Sequence, residues 1–235
     1  MNSQISKILE NNMNFLKDKT INWRSFSIRL LVSLFATIIG EFGIGCYYGC
    51  GLGTDPISVF VDGVHNVCGL SYGDISTICN VILAILIILF ERQHLGIGTL
   101  IAVAIAGPLI DVFETLIRVN FPIETTSLII RMGILLAGLV TTSISYAMAI
   151  ACKMGIGTFQ FIPIFIADKT PIKLDLAQTI SDAVFFIIGV VLGGVIGIGT
   201  IVGVACTGYL MGFILNKISK PLDDLGPIIE NNTES

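Results

Sequence analysis

The sequence predicts an all-α membrane protein: six transmembrane helices in two inverted three-span repeats, with short re-entrant or interfacial segments between them. Three observations predict it: an apolar composition, six apolar runs of crossing length, and a near-duplication of one half in the other. Hydrophobic residues make up 54% of the 235 and charged residues only 13%, with a mean hydropathy of +0.89. A soluble domain would need about a quarter of its residues charged to cover its surface. The net charge of −4 contains no basic run suited to nucleic acid.

Crossing about 30 Å of hydrocarbon takes about 20 helical residues. Runs of this kind fall at 28–50, 73–90, 96–117, 128–152, 174–193 and 197–218. The last two are separated only by backbone signals, Gly193-Gly194 and Gly197-Ile198-Gly199. Eleven of the 13 Lys and Arg residues then fall on one side of the membrane, and only Arg118 and Arg131 on the other. Cations resist translocation, so both termini are expected on the cytoplasmic side.

The organisation this implies is a tail at 1–25, a first repeat at 26–118, a connecting loop at 119–127, a second repeat at 128–218 and an acidic tail at 219–235. The first tail starts too polar and its apolar region runs too long for a signal peptide. Its Ile5, Ile8, Leu9, Met13 and Leu16 recur at the spacing of an amphipathic surface helix, the alternative being a solvated tail.

Residues 95–110 laid over 196–211 match at eight of sixteen positions, including Gly-Ile-Gly-Thr, Val-Ala, Gly and Leu. An offset of 102 also superposes Cys50-x-x-Gly53 on Cys152-x-x-Gly155. Two copies of a three-crossing unit joined in series must face opposite ways, an arrangement found in many secondary transporters. It requires that 56–67 not cross, and twelve residues rise only about 18 Å.

Glu41 lies in the middle of the first run, where inserting an acid costs on the order of 3 kcal/mol. It reads as a proton carrier or a solute ligand, or else as a neutral acid bonded to a nearby hydroxyl. Asp182 matches Asn80 at offset 102, a polar position in both halves that suits either a shared cavity or interhelical bonding. Asp111 reads as a ligand or as a partner of Arg131, and Glu114 with Arg118 as an i,i+4 ion pair. Gly98, Thr99, Gly199 and Thr200 belong to the repeated Gly-Ile-Gly-Thr turns, whose N–H groups at a helix start could hold an anionic group. Asp55, before Pro56, reads first as a helix cap and second as a ligand. The six scattered cysteines show no metal spacing and read as packing residues.

The repeated Gly-Ile-Gly-Thr, Gly107-Pro108-Leu109-Ile110-Asp111 and Leu52-Gly53-Thr54-Asp55-Pro56 resemble the YczE/YyaS/YitT family of bacterial integral membrane proteins. The resemblance spans about residues 26–218 and implies a bacterial cytoplasmic membrane protein.

The function expected is a small secondary transporter or facilitator for a polar or anionic solute. No cofactor, metal, nucleic acid or enzymatic chemistry is expected, and the partners are the lipid bilayer, the solute and a second copy in a homo-oligomer. The competing reading is a membrane-embedded regulatory or assembly protein whose polar residues bind partner helices.

Overall fold

A computed structural model describes residues 19–90, 95–155, 157–159, 161–172 and 174–231. The amphipathic segment expected before residue 19 lies outside them. The chain forms a short strand β1 (Lys19–Ile21), then helices α1 (Trp23–Cys50), α2 (Pro56–Cys68), α3 (Tyr72–Phe90) and α4 (Ile97–Asn120). The second half repeats the series as α5 (Leu128–Cys152), α6 (Phe161–Lys169), α7 (Leu174–Val191) and α8 (Ile198–Asp223), followed by strand β2 (Ile229–Asn231).

Among the described residues, five helices are long and apolar enough to cross a membrane: α1, α3, α4, α5 and α8. The sixth expected span, at 174–193, is not among these five. The run at 174–193 forms α7, within which Thr179–Val191 is a shorter apolar stretch among the described residues. Gly193, at φ 89, turns the chain out of it.

The outer surface is apolar. On α3, Ile78, Ile82, Ile85 and Leu89 are all exposed at helical spacing, as are Leu31 and Phe35 on α1. The interior holds many small and hydroxylated residues instead, among them Ser33, Thr142, Ser143 and Ser145. Between helices in lipid the attraction comes from close van der Waals packing, which small residues permit. Accordingly α1 carries Gly40 and Gly43 against α5 and Gly45 and Gly49 against α4. A Cβ on Gly43 would stand 2.6 Å from Thr142 Cγ2, and one on Gly45 2.6 Å from Phe113 Cβ.

The central pair α1 and α5 runs antiparallel: Gly40 faces Ser145, and Gly43 faces Thr142. These two contacts exchange with each other under the offset of 102. Alongside, α4 packs parallel to α1, with Gly45 by Phe113 and Gly49 by Ile117. In the same relation α8 follows α5, where Leu135 and Leu139 pack with Val202 and Cys206.

The loop after each long first helix touches the start of the last helix in the other half. Gly199 N donates to Leu52 O at 2.9 Å, and Gly98 N donates to Met154 O at 2.9 Å. At these crossings a Cβ on Gly197 would collide with the Leu52 carbonyl, and one on Gly96 with the Met154 carbonyl.

Two arginines 102 residues apart hold the helix ends that these loops leave. Arg131 Nε donates to Cys50 O at 2.8 Å and Nη2 to Gly51 O at 3.0 Å, at the C-terminus of α1. Arg29, only 3% exposed, donates from Nη1 to Cys152 O at 3.1 Å and Ala151 O at 3.4 Å, at the C-terminus of α5. Its Nη2 reaches Leu222 O at 2.7 Å and Gly226 O at 3.2 Å. A guanidinium suits this task because its donors are fixed in a fork and it keeps its charge.

The tails are more ordered than expected where they are described. Residues 219–223 complete α8, and β1 pairs antiparallel with β2, Thr20 opposite Glu230. Lys153 Nζ meets Asp223 Oδ1 at 2.7 Å beside this ribbon.

Replacing Arg29 with Met removes its donors from the carbonyls of Ala151, Cys152 and Leu222 and should cost about 3 kcal/mol, whereas Arg131→Met, which frees two at a less buried site, should cost about half as much. Thermal denaturation in detergent tests the order; equal losses would contradict it.

Candidate functional site

Glu41 is set into α1 between the glycines that let α5 approach. Its Oε2 is buried and has no hydrogen-bond partner. The charge of Asp55 bears on it. Asp55 arrives there because α1 stops at Gly51 in the left-handed conformation and Gly53, at φ 95, reverses the chain before Pro56 starts α2.

Asp55 occupies the N-cap position of α2 yet makes no side-chain cap bond. Ser58 lies beside its carboxyl, while its Oδ1 is buried and unpartnered. Its N-cap position and the closeness of Ser58, third residue of α2, fit the capping role expected first for Asp55, with one carboxylate oxygen left over. Gly203 of α8 lies against it, a Cβ there falling 3.8 Å from Asp55 Cα. One helical turn further on, Thr207 Oγ1 is also buried with no well-formed hydrogen bond, the Tyr47 hydroxyl being its neighbour.

Around these oxygens stand Tyr47 of α1, whose hydroxyl lies 3.4 Å from Thr142 Oγ1 of α5, and Tyr146 of α5. Tyr146 feels the charges of Glu41, Asp55 and Asp182, so Asp182 of α7 borders the same region. Among the described residues no Lys or Arg acts on Glu41 or Asp55. The group is acidic, rich in hydroxyls, and assembled from both halves.

The other predicted residues separate from it. Asn80 accepts a short hydrogen bond from Thr158 Oγ1. Asp111 accepts from Ser71 Oγ at 2.6 Å and from Gly73 N at 2.7 Å, closing the start of α3. Its expected pairing with Arg131 is overturned, since that guanidinium holds Cys50 and Gly51. Glu114 and Arg118 do form the i,i+4 ion pair.

The anion-binding expectation for Gly98, Thr99, Gly199 and Thr200 also fails. The N–H groups of Gly98 and Gly199 already bond to carbonyls of the opposite half, and Thr99 and Thr200 are buried at those crossings.

Sequence reasoning missed Thr207 and Tyr146, hydroxyls in apolar runs with nothing local to mark them. It also passed over Asp62, a buried acid inside the apolar 56–67 stretch. Asp62 Oδ1 accepts from Tyr72 OH at 3.1 Å and Oδ2 from Val195 N at 2.6 Å, tying α2 to the loop before α8. The Tyr72 ring stacks between Tyr48 and His65.

Comparison with known proteins places this arrangement. Residues 27–216 match the model of a family described as "Family of unknown function (DUF6198)". The chain belongs to this family. Within reach of it are "Uncharacterized protein YyaS" of Bacillus subtilis, 27% identical over 174 residues, covering 74% of this chain and 86% of the relative. "Uncharacterized membrane protein YczE" of the same organism is 24% identical over 179 residues, 76% of this chain and 81% of the relative. An "Uncharacterized protein" of Haemophilus influenzae is 24% identical over 199 residues, 84% of this chain and 88% of the relative. No solved structure matches. The resemblance to the YczE/YyaS family thus holds, and the chain is a membrane protein of the DUF6198 family with several apolar helices.

Asp62→Ala strands the Tyr72 hydroxyl and the Val195 N–H and should lower stability by about 2 kcal/mol. Glu114→Gln opens only a half-exposed ion pair and should change it by less than about 1 kcal/mol. Chemical denaturation of both variants checks this, and a larger loss in the second would refute the assignment.

Proposed function

We propose that this DUF6198 protein is a small secondary transporter or facilitator of the bacterial cytoplasmic membrane. It is built from two inverted halves with six crossings and both termini cytoplasmic, and it acts on a small polar solute. The observation that carries the reading is the antiparallel pairing of the repeat-related helices α1 and α5, whose contacts exchange under the sequence offset. Helices that correspond in sequence and run in opposite directions support a pseudo-twofold axis lying in the membrane plane, the symmetry of many gradient-driven carriers.

In this reading α1, α3 and α4 cross in one half and α5, α7 and α8 in the other, with the 18-residue α7 crossing upright or through a locally thinned bilayer. The 13-residue α2 and the 9-residue α6 enter without crossing. The polar group around Glu41 sits where the halves meet, as substrate sites of inverted-repeat carriers do. Its two acids turn the preference away from the anionic solute that the glycine turns suggest in sequence. Nothing in the chain resembles an ATP-binding motif, so movement would follow a gradient.

The topology is tested with single cysteines at Leu70 and Thr170, both exposed in the connections after α2 and α6, in a background where Cys68 is replaced. A membrane-impermeant maleimide should reach Leu70→Cys from outside intact cells and Thr170→Cys only from inside. Labelling of both from one side would sink the inverted architecture.

A further inference from the structure

We infer that Glu41, Asp55 and Thr207 form a site for one partly dehydrated alkali cation where the two halves meet. Three buried oxygens there make no well-formed hydrogen bond, Glu41 Oε2, Asp55 Oδ1 and Thr207 Oγ1, and they come from α1, the start of α2 and α8. Buried polar atoms are nearly always satisfied, so three unsatisfied ones in a single region call for something that brings positive charge. Thr207 makes this more than a pair of acids: it is a neutral hydroxyl on a different helix, one turn from the glycine that packs on Asp55.

The donor chemistry selects the class of ion. Carboxylate and hydroxyl oxygens suit hard cations rather than transition metals. A calcium ion takes six to eight oxygen ligands, usually several carboxylates. Among the described residues no three of His, Cys, Asp or Glu converge closely enough to hold a metal ion of that kind. A monovalent ion needs fewer charged ligands, and the hydroxyls of Tyr47, Thr142 and Tyr146 are at hand to complete its surroundings.

The site has no copy in the other half. At offset 102, Glu41 corresponds to Ser143, Asp55 to Gly157 and Asp182 to Asn80, and in the 95–110/196–211 alignment Thr207 corresponds to Ala106. Ser143 Oγ donates to Leu139 O at 2.7 Å, and Asn80 is bonded by Thr158. The duplicated architecture thus carries acids on one side and satisfied neutral groups on the other, which gives one ion per chain. The inference rests on the transport reading only for the ion's route; binding itself requires no flux.

The test uses the full-length protein in detergent, melted in NaCl, KCl or choline chloride at equal ionic strength, choline being too large for such a site. Sodium or potassium should raise the Tm saturably above its value in choline, and the rise should vanish in Asp55→Asn and shrink in Thr207→Val. Identical melting in the three salts would overturn the inference, as would unchanged salt dependence in the variants. Should Asp55→Asn fail to fold, Thr207→Val decides alone. Cation-dependent melting without uptake of radiolabelled sodium or potassium into proteoliposomes would leave the site standing and refute transport; uptake without cation-dependent melting would do the reverse.

Discussion

A helix that ends inside or near hydrocarbon leaves its last carbonyls without water to bond them, and such groups are too costly to leave bare. In this protein each half supplies the missing donors of the other. Arg131 of the second half holds the end of α1, and Arg29 of the first holds the end of α5. The peptide groups at the Gly-Ile-Gly-Thr turns do the same from the helix starts, Gly199 donating to Leu52 and Gly98 to Met154. The glycines of α1, the antiparallel register of α1 with α5 and the position of Asp55 all follow from holding these crossings closed.

That exchange also determines where polarity collects. Because the helix starts and ends are satisfied at the two edges of the bundle, the hydroxyls and acids left unsatisfied are those between them. Glu41, Asp55 and Thr207 lie there with no basic residue acting on the two acids among those described. The aromatic stack of Tyr48, Tyr72 and His65 is a contrast: its neighbours Asp62, Arg118 and Ser58 all have partners, and it reads as a fastening rather than a site.

Much of this could be read from the chain and some could not, for reasons that differ by residue. Apolar runs locate five of the crossing-length helices because length and composition are local properties. Glu41 stands out through its cost in a hydrophobic stretch. Asp55 and the Gly-Ile-Gly-Thr turns do not resolve locally, since the same residues would cap a helix, cradle an anion or receive a carbonyl from a loop more than fifty positions away. Arg29 and Arg131 were visible at the repeat offset, yet as flanking charges they read as topology signals, and only their geometry shows them bonding the opposite half.

The reciprocity has a consequence for how the chain is made. When the first half has left the ribosome and entered the membrane, the end of α1 still lacks Arg131, and the start of α4 still lacks the carbonyl of Met154. Arg29 at that moment has neither α5 nor α8 to bond. The nascent first half is therefore an incomplete object with exposed peptide groups, and its survival until residue 154 is inserted is a matter of timing and of the insertion machinery rather than of its own stability.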